Sequence, residues 1–367
     1  MIDLGIFTVP LIGALSVFLV AFFTGDNISF DSIATPADMQ WNGYDSNVVT
    51  RMLLDELREL NEDAVSEAVG LEVDSSYVDQ SIGQYADYFG IGKLVDTTRN
   101  LVGANQYYVS SEIADVNGKI RYTARLFTPK SDQPVDTVKI DGDPADPAPM
   151  LQQAAEVLLT KINPYIMALH YFKQESATKQ WDYPKTKEFL KLHIETPPPE
   201  DNYLSYDLIG RMHRRRAEFD TTLSPEQRHQ ELLDAIPPLM AALRQNANFL
   251  YTNLTLGTIY TDLEDFANAD KYFAKAVSID PNYLPARQRW GKSLAKQGRL
   301  REAVFQYVAA VEIAPDDAEL RSTLGELYFK LNHTDDAMAQ WKVAEYLDPS
   351  NGQIREDLRK STKPPSQ

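Results

Sequence analysis

The chain has 367 residues, 53 of them acidic and 36 basic, for a formal net charge of −17. A field of that sign repels phosphate backbones and excludes general nucleic-acid binding, and 43% apolar with 24% charged residues excludes a disordered or fibrous chain. Without a single cysteine, disulfides, thiolate metal sites and cysteine nucleophiles are excluded too.

Leu4 to Phe23 is an apolar run of 20 residues without a charge. At about 1.5 Å per residue it spans roughly 30 Å, the hydrocarbon thickness of a bilayer. The run is apolar all round, which a one-faced core helix is not. A cleaved signal peptide is the other account, but no Lys or Arg precedes the run and Phe22-Phe23-Thr24 is a poor cleavage site. The expectation is a single-pass anchor within residues 1–24, held in the lipid bilayer by residues 4–23. No basic residue precedes Arg51, so nothing retains the body in the cytoplasm. The expected place is the cytoplasmic membrane, with the bulk of the chain outside it.

Residues 24–150 carry 22 acidic and 9 basic side chains, so most of the net charge lies here. The spacing of Val49, Met52, Leu53, Leu57 and Leu60 predicts an amphipathic helix over 46–64, capped by Asp45 or Ser46. A second helical stretch is expected over 84–102. Asn117-Gly118, a dipeptide suited to a type I′ turn, joins strands over 106–116 and 119–127. In the second strand Ile120, Tyr122, Ala124 and Leu126 alternate with polar residues, predicting one core face and one wet face. A strand over 135–140 and a helix over 150–161 complete a unit set at residues 28–162.

The segments NVVTRMLLDELREL and YFGIGKLVDTTRNLVGANQYYVSSEIADVNGKIRYTARLF resemble the TolB amino-terminal-domain-like family, which includes flagellar FlgO-type domains. The resemblance covers about 100 residues, with Ile28-Ser29-Phe30 as a short opening strand. It implies an extracytoplasmic recognition fold, and no catalytic residues carry over.

Residues 163–215 read as a helical bridge, with Pro197-Pro198-Pro199 as a stiff spacer. Beyond it runs a period of 34 residues. Leu256-Gly257, Trp290-Gly291 and Leu324-Gly325 recur in step, as do Ala269, Ala303 and Ala337. Phe273, Tyr307 and Trp341 follow, and Pro281, Pro315 and Pro349 close the units. The pattern resembles the tetratricopeptide repeat, in which small residues let two helices of a hairpin approach and an aromatic fills the gap. Repeats are set at 250–283, 284–317 and 318–351 within an array over 216–360. A degenerate repeat precedes them, with its second helix distorted by Pro237-Pro238, and a polar capping helix follows.

Candidate chemistry is sparse. The five histidines (170, 193, 213, 229 and 333) show no metal-ligand spacing. Gly90-Ile91-Gly92-Lys93 fails the phosphate-loop pattern, because Leu94 stands where Ser or Thr belongs. No enzyme, cofactor or metal is expected. The resemblance places Tyr251, Leu254, Thr255 and Thr258 on the groove side of the first clear repeat. Gln288, Arg289, Lys292 and Lys296 hold that side of the second, and Ser322, Thr323, Glu326 and Phe329 that of the third. Arg289, Lys292 and Lys296 follow one helix face and could receive a carboxylate. Arg211, Arg214, Arg215 and Arg216 form a dense basic cluster, read either as a solvated face or as a contact for an anionic lipid head or acidic partner.

The expected fold class is α+β: a transmembrane helix, a small α/β domain and an all-α repeat solenoid. The expected function is a non-enzymatic protein–protein interaction scaffold, an accessory subunit or assembly factor of a membrane-protein complex. The alternative is an extracytoplasmic sensor whose α/β domain binds a small molecule and whose repeats relay its state to a partner.

Overall fold

The structure, a computed structural model, describes residues 28–41, 43–68, 107–128, 131, 133–195 and 202–361. The expected anchor, the stretch over 84–102 with its Gly90–Lys93 segment, and Pro197-Pro198-Pro199 lie outside the described residues. Among the described residues no helix is long and apolar enough to cross a membrane. The chain divides into two compact units at residues 193 and 194.

The first unit opens with strand β1 (Ile28–Phe30), a short helix α1 (Ala37–Trp41) and the long helix α2 (Ser46–Ala68). Asp45 starts α2, its Oδ1 accepting from the backbone N–H groups of Asn47 and Val48 at 2.9 Å each. Val49, Leu53, Leu57, Leu60 and Ala64 form its buried stripe. Strands β2 (Tyr107–Val116), β3 (Lys119–Phe127) and β4 (Asp136–Gly142) follow. They complete a sheet of order β1-β2-β3-β4, with β1 parallel to β2 and the other pairs antiparallel. The turn between β2 and β3 has Asn117 at φ 56° and Gly118 at φ 78°, the left-handed values that a type I′ turn requires.

One sheet face is apolar: Val109, Ile113, Ile120, Tyr122, Ala124, Leu126, Val138 and Ile140 are buried. Tyr122 is hydrogen-bonded to Ser111 at 2.9 Å within this layer, and burial pushes its phenol up to about 12. The other face carries the charge pairs Arg121–Asp141, in register across β3 and β4, and Arg125–Glu112 at 2.6 Å. Helix α3 (Ala148–Ile162) packs on β3 and β4, and α2 packs on α3 and on α4 (Pro164–Ala177).

The stretch expected as a helical bridge, residues 163–215, opens with α4. Helix α4 belongs to the helical layer of the first unit because its buried Met167, Ala168 and Phe172 need the cover that α2 provides. Helix α5 (Pro184–Glu195) is tied to α4 by Glu175. The buried Glu175 carboxylate accepts from the N–H groups of Lys185 and Thr186 at 2.8 and 3.2 Å, and from Thr186 Oγ1 at 2.7 Å. A side chain of one helix thus caps the next.

The second unit is a stack of helical hairpins. α6 (Asn202–Phe219) pairs with α7 (Pro225–Gln245), α8 (Leu250–Asp262) with α9 (Phe266–Ile279), and α10 (Leu284–Lys296) with α11 (Leu300–Ile313). α12 (Ala318–Lys330) then pairs with α13 (Thr334–Leu347), and α14 (Gly352–Ser361) closes the stack against α13. Each clear hairpin is set by one close approach. A Cβ on Gly257 would meet the Phe273 ring at 2.7 Å, one on Gly291 the Tyr307 ring at 2.7 Å, and one on Gly325 the Trp341 indole nitrogen at 2.6 Å.

The first hairpin follows the same rule with other residues. Leu239, one period before Phe273, lies against Gly210 where an added Cβ would collide with it. Gly210, however, lies further upstream of Gly257 than one period, so both helices of this hairpin are longer than those that follow. That insertion hides α6 from a search at fixed period. Helix α7 continues through Pro237-Pro238, which lie inside it. Its first turn is held by a capping box between Ser224 and Gln227.

Candidate protein-binding face of the repeat array

Helix α8 is the first helix of its hairpin and touches both α6 and α10. It is buried from Tyr251 through Gly257 and again at Ile259. Tyr251, 6% exposed, belongs to an edge-to-face chain of rings in which Tyr203–Phe249, Phe249–Tyr251 and Tyr251–Tyr283 centroids lie 4.9, 5.5 and 5.7 Å apart. Tyr251, Leu254 and Thr255, expected on the groove side, are buried. Thr258 is half-buried, and its hydroxyl donates to the Leu254 carbonyl at 2.9 Å.

Arg289, Lys292 and Lys296 stand exposed along α10, with Gln288 half-buried beside them. Lys296 Nζ donates to the Thr261 carbonyl at 3.1 Å and lies 3.4 Å from the Glu264 carboxylate. Among the described residues Arg289 makes no hydrogen bond and no ion pair. Its guanidinium is pulled below its ordinary pKa first by desolvation, then by the positive charge of Arg214, and further by that of Arg211. Glu218 and Tyr283 act in the opposite sense.

Asp262, at the end of α8, feels the same group from the other sign. Burial raises its carboxyl above the usual range, while Arg214, Lys296 and Lys292 pull it down. Arg214 itself lies 3.0 Å from Glu218, one turn along α6. Arg211 and Arg214 of α6 thus lie within electrostatic reach of Arg289 on α10, although far from it in sequence. Around these cations stand the carboxylates of Glu218, Asp262, Glu264 and the buried Asp207.

The remaining expected residues are elsewhere. Arg216 and His213 grip the Glu231 carboxylate of α7 at 3.2 and 2.7 Å, which holds the first hairpin together. Arg215 is half-buried on α6, and Ser322 and Thr323 are half-buried on α12. Glu326 and Phe329 line a cavity of about 270 Å³ at the far end of the stack, with Trp341, Gln353 and Asp357. His170 bonds Gln174 at 2.7 Å, His193 packs on Tyr165, and His333 lies 3.5 Å from Asp336.

Sequence reasoning missed Glu218, Asp262 and the buried Asp207. For Asp262 a signal existed: it stands one period before Lys296, in the same column of the repeat. The same period marks two bonds that no motif announced. Arg287 Nη1 donates to Gln306 Oε1 at 2.9 Å and Arg321 Nη1 to Gln340 Oε1 at 3.2 Å. Each arginine also donates through Nε to the carbonyl of the preceding repeat's closing proline, Pro281 or Pro315, at 3.2 and 2.7 Å.

Two family models match the chain: the tetratricopeptide repeat over residues 250–283 and the TPR repeat over residues 291–332. No curated protein sequence matches the chain. Among solved structures, the chain is similar to YrrB, described as a TPR protein with an unusual peptide-binding site. It shares 20% identity with it over 56% of this chain and 98% of that one, at a TM-score of 0.40. A thermophilic TPR protein of Thermus thermophilus shares 18% over 55% and 98%, with a TM-score of 0.37. A MamA double mutant shares 22% over 41% and 82%, with a TM-score of 0.35. The C-terminal part of this chain is built of tetratricopeptide repeats.

Proposed function

We propose that the protein is a membrane-anchored, non-enzymatic scaffold that docks a protein partner on the repeat array. In this reading it serves a membrane-protein complex as accessory subunit or assembly factor. Residues 4–23 hold the chain in the cytoplasmic membrane and the body lies outside the cytoplasm. The observation that carries the reading is a stack of helical hairpins, matched in part by two repeat models, with Arg289, Lys292 and Lys296 exposed along α10. Like charges held together on a chain of net charge −17 are stabilised when an opposite charge faces them. Repeat units of this kind, stacked in one dimension, leave an extended surface suited to a helix or a peptide.

The test is a tagged full-length chain, isolated from membranes in mild detergent and sized by native mass spectrometry. A stoichiometric assembly, together with retention of the chain in the membrane after alkaline carbonate, is the expected result. Recovery of the chain as a lone monomer, or its release by carbonate, overturns the reading.

A further inference from the structure

We propose that the cavity at the far end of the stack, walled by α12, α13 and α14, takes the guanidinium of an arginine on a protein partner. Glu326 and Asp357 meet its charge and Phe329 its flat face. The inference rests on the scaffold reading above, and it adds an acidic contact point beyond the basic residues of α10.

The cavity measures about 270 Å³ and is lined by Glu326, Phe329 and Lys330 of α12, Trp341 of α13, and Gln353 and Asp357 of α14. Helix α14 packs on both α12 and α13. The walls are held in place. The Trp341 indole nitrogen donates to the Ser322 carbonyl at 3.1 Å, and the indole lies against Gly325. The Phe329 ring stands 5.7 Å from it, tilted by 51°, yet remains 42% exposed. Asp357 is buried, and Gln353 Nε2 donates to both of its carboxylate oxygens at 3.0 and 3.1 Å.

The repeat period shows what is particular to this end of the stack. Glu326 stands in the column of Thr258 and Lys292, and Asp357 in that of Thr255, Arg289 and Thr323. Two bases of the second clear repeat thus give way to acids where the stack ends. Phe329 occupies a column that holds Thr261 and Ala295 before it, so a large ring replaces small side chains. Among the described residues Glu326 makes no hydrogen bond and no ion pair, although Lys330 lies one turn along the same helix. Two carboxylates therefore line the cavity with a single lysine and two aromatic rings. An ammonium is a compact, strongly hydrated charge, whereas a guanidinium is flat and weakly hydrated, stacks on rings and forks onto a carboxylate. The combination of exposed ring and carboxylate favours the guanidinium.

The experiment uses the full-length chain in zwitterionic nanodiscs and saturation-transfer NMR, with N-acetyl-arginine amide as the probe. N-acetyl-citrulline amide, the same shape without the charge, is the control. The expected result is saturable binding of the arginine probe, about tenfold tighter than that of the control, as when a charge-assisted bond is set against a neutral one. Glu326→Gln should remove most of that preference, and Phe329→Ala should weaken binding of the arginine probe. Glu312→Gln, the same charge change on α11, should leave both intact. All three side chains are exposed, so each variant keeps the fold, and an unchanged melting curve checks this. Equal binding of the two probes, or an unchanged preference in the Glu326→Gln chain, overturns the proposal. So does tighter binding of spermidine than of the arginine probe, which assigns the cavity to a free polyamine. A stoichiometric membrane assembly found alongside any of these failures leaves the scaffold reading standing and removes only the arginine contact.

Discussion

Asp207 and Thr252 join two hairpins of the array: the Thr252 hydroxyl donates to Asp207 Oδ1 at 2.6 Å, with both residues fully buried. Burial is the main influence on this carboxyl and raises its pKa above the usual range, against the pull of Arg211 and of the Thr252 bond. The folded chain therefore holds the Asp207 proton more tightly than the unfolded chain. The contribution of this site to stability is full below the unfolded value of about 3.9 and falls as pH rises through the folded value. Asp207→Asn removes that loss. The difference in urea midpoint between Asp207→Asn and the parent chain should grow in favour of Asn as pH rises from acid to neutral. A difference independent of pH would mean that Asp207 titrates alike in both states. Thr252→Val deletes the one hydroxyl donor to the carboxylate and should cost about 1–3 kcal/mol at neutral pH.

The close approaches at Gly257, Gly291 and Gly325 define the hairpins, and alanine at any of them forces an aromatic ring out of place. Gly257→Ala should destabilise the array by about 1–3 kcal/mol, seen as a lower urea midpoint with an unchanged slope. Gly352 opens α14 and an added Cβ there meets nothing within 4 Å. Gly352→Ala should shift the midpoint upward, by no more than about 1 kcal/mol.

Glu175, 4% exposed, satisfies three donors at the start of α5. Glu175→Ala leaves them without a side-chain acceptor and should cost about 1–3 kcal/mol. Hydrogen exchange should localise the loss, with faster exchange at the amides of Lys185 and Thr186 and no change in α8 to α13. Protection of those two amides in the variant would show that another acceptor replaces the carboxylate.

Tyr251 is a packing residue between the Phe249 and Tyr283 rings. Tyr251→Ala should cost on the order of 3 kcal/mol through the cavity it leaves. Tyr251→Phe keeps the ring and should change the midpoint by less than about 1 kcal/mol. A large loss in the Phe variant would mean that the hydroxyl, rather than the ring, is what the site needs.

Read alone, the sequence determined everything that depends on neighbours a fixed distance along the chain. The 34-residue period placed three hairpins and the aromatic column Phe273, Tyr307 and Trp341 that fills them. Asn117-Gly118 placed the β2–β3 hairpin and its register, because this dipeptide accepts the two positive φ angles of a type I′ turn, which joins strands in two residues. Alternation in β3 chose its core face, and the stripe on α2 chose its own. What the period could not carry was decided by the tertiary structure. The insertion in the α6–α7 hairpin moved Gly210 out of register, so only packing against Leu239 reveals that hairpin as one of the stack. Tertiary packing also buried Tyr251 and Leu254, and it brought Arg211 and Arg214 within electrostatic reach of Arg289. Periodicity says which face of a helix is polar. Which distant helix comes to share that face depends on how many residues the chain spends between them, and on which large side chain finds the glycine it fits.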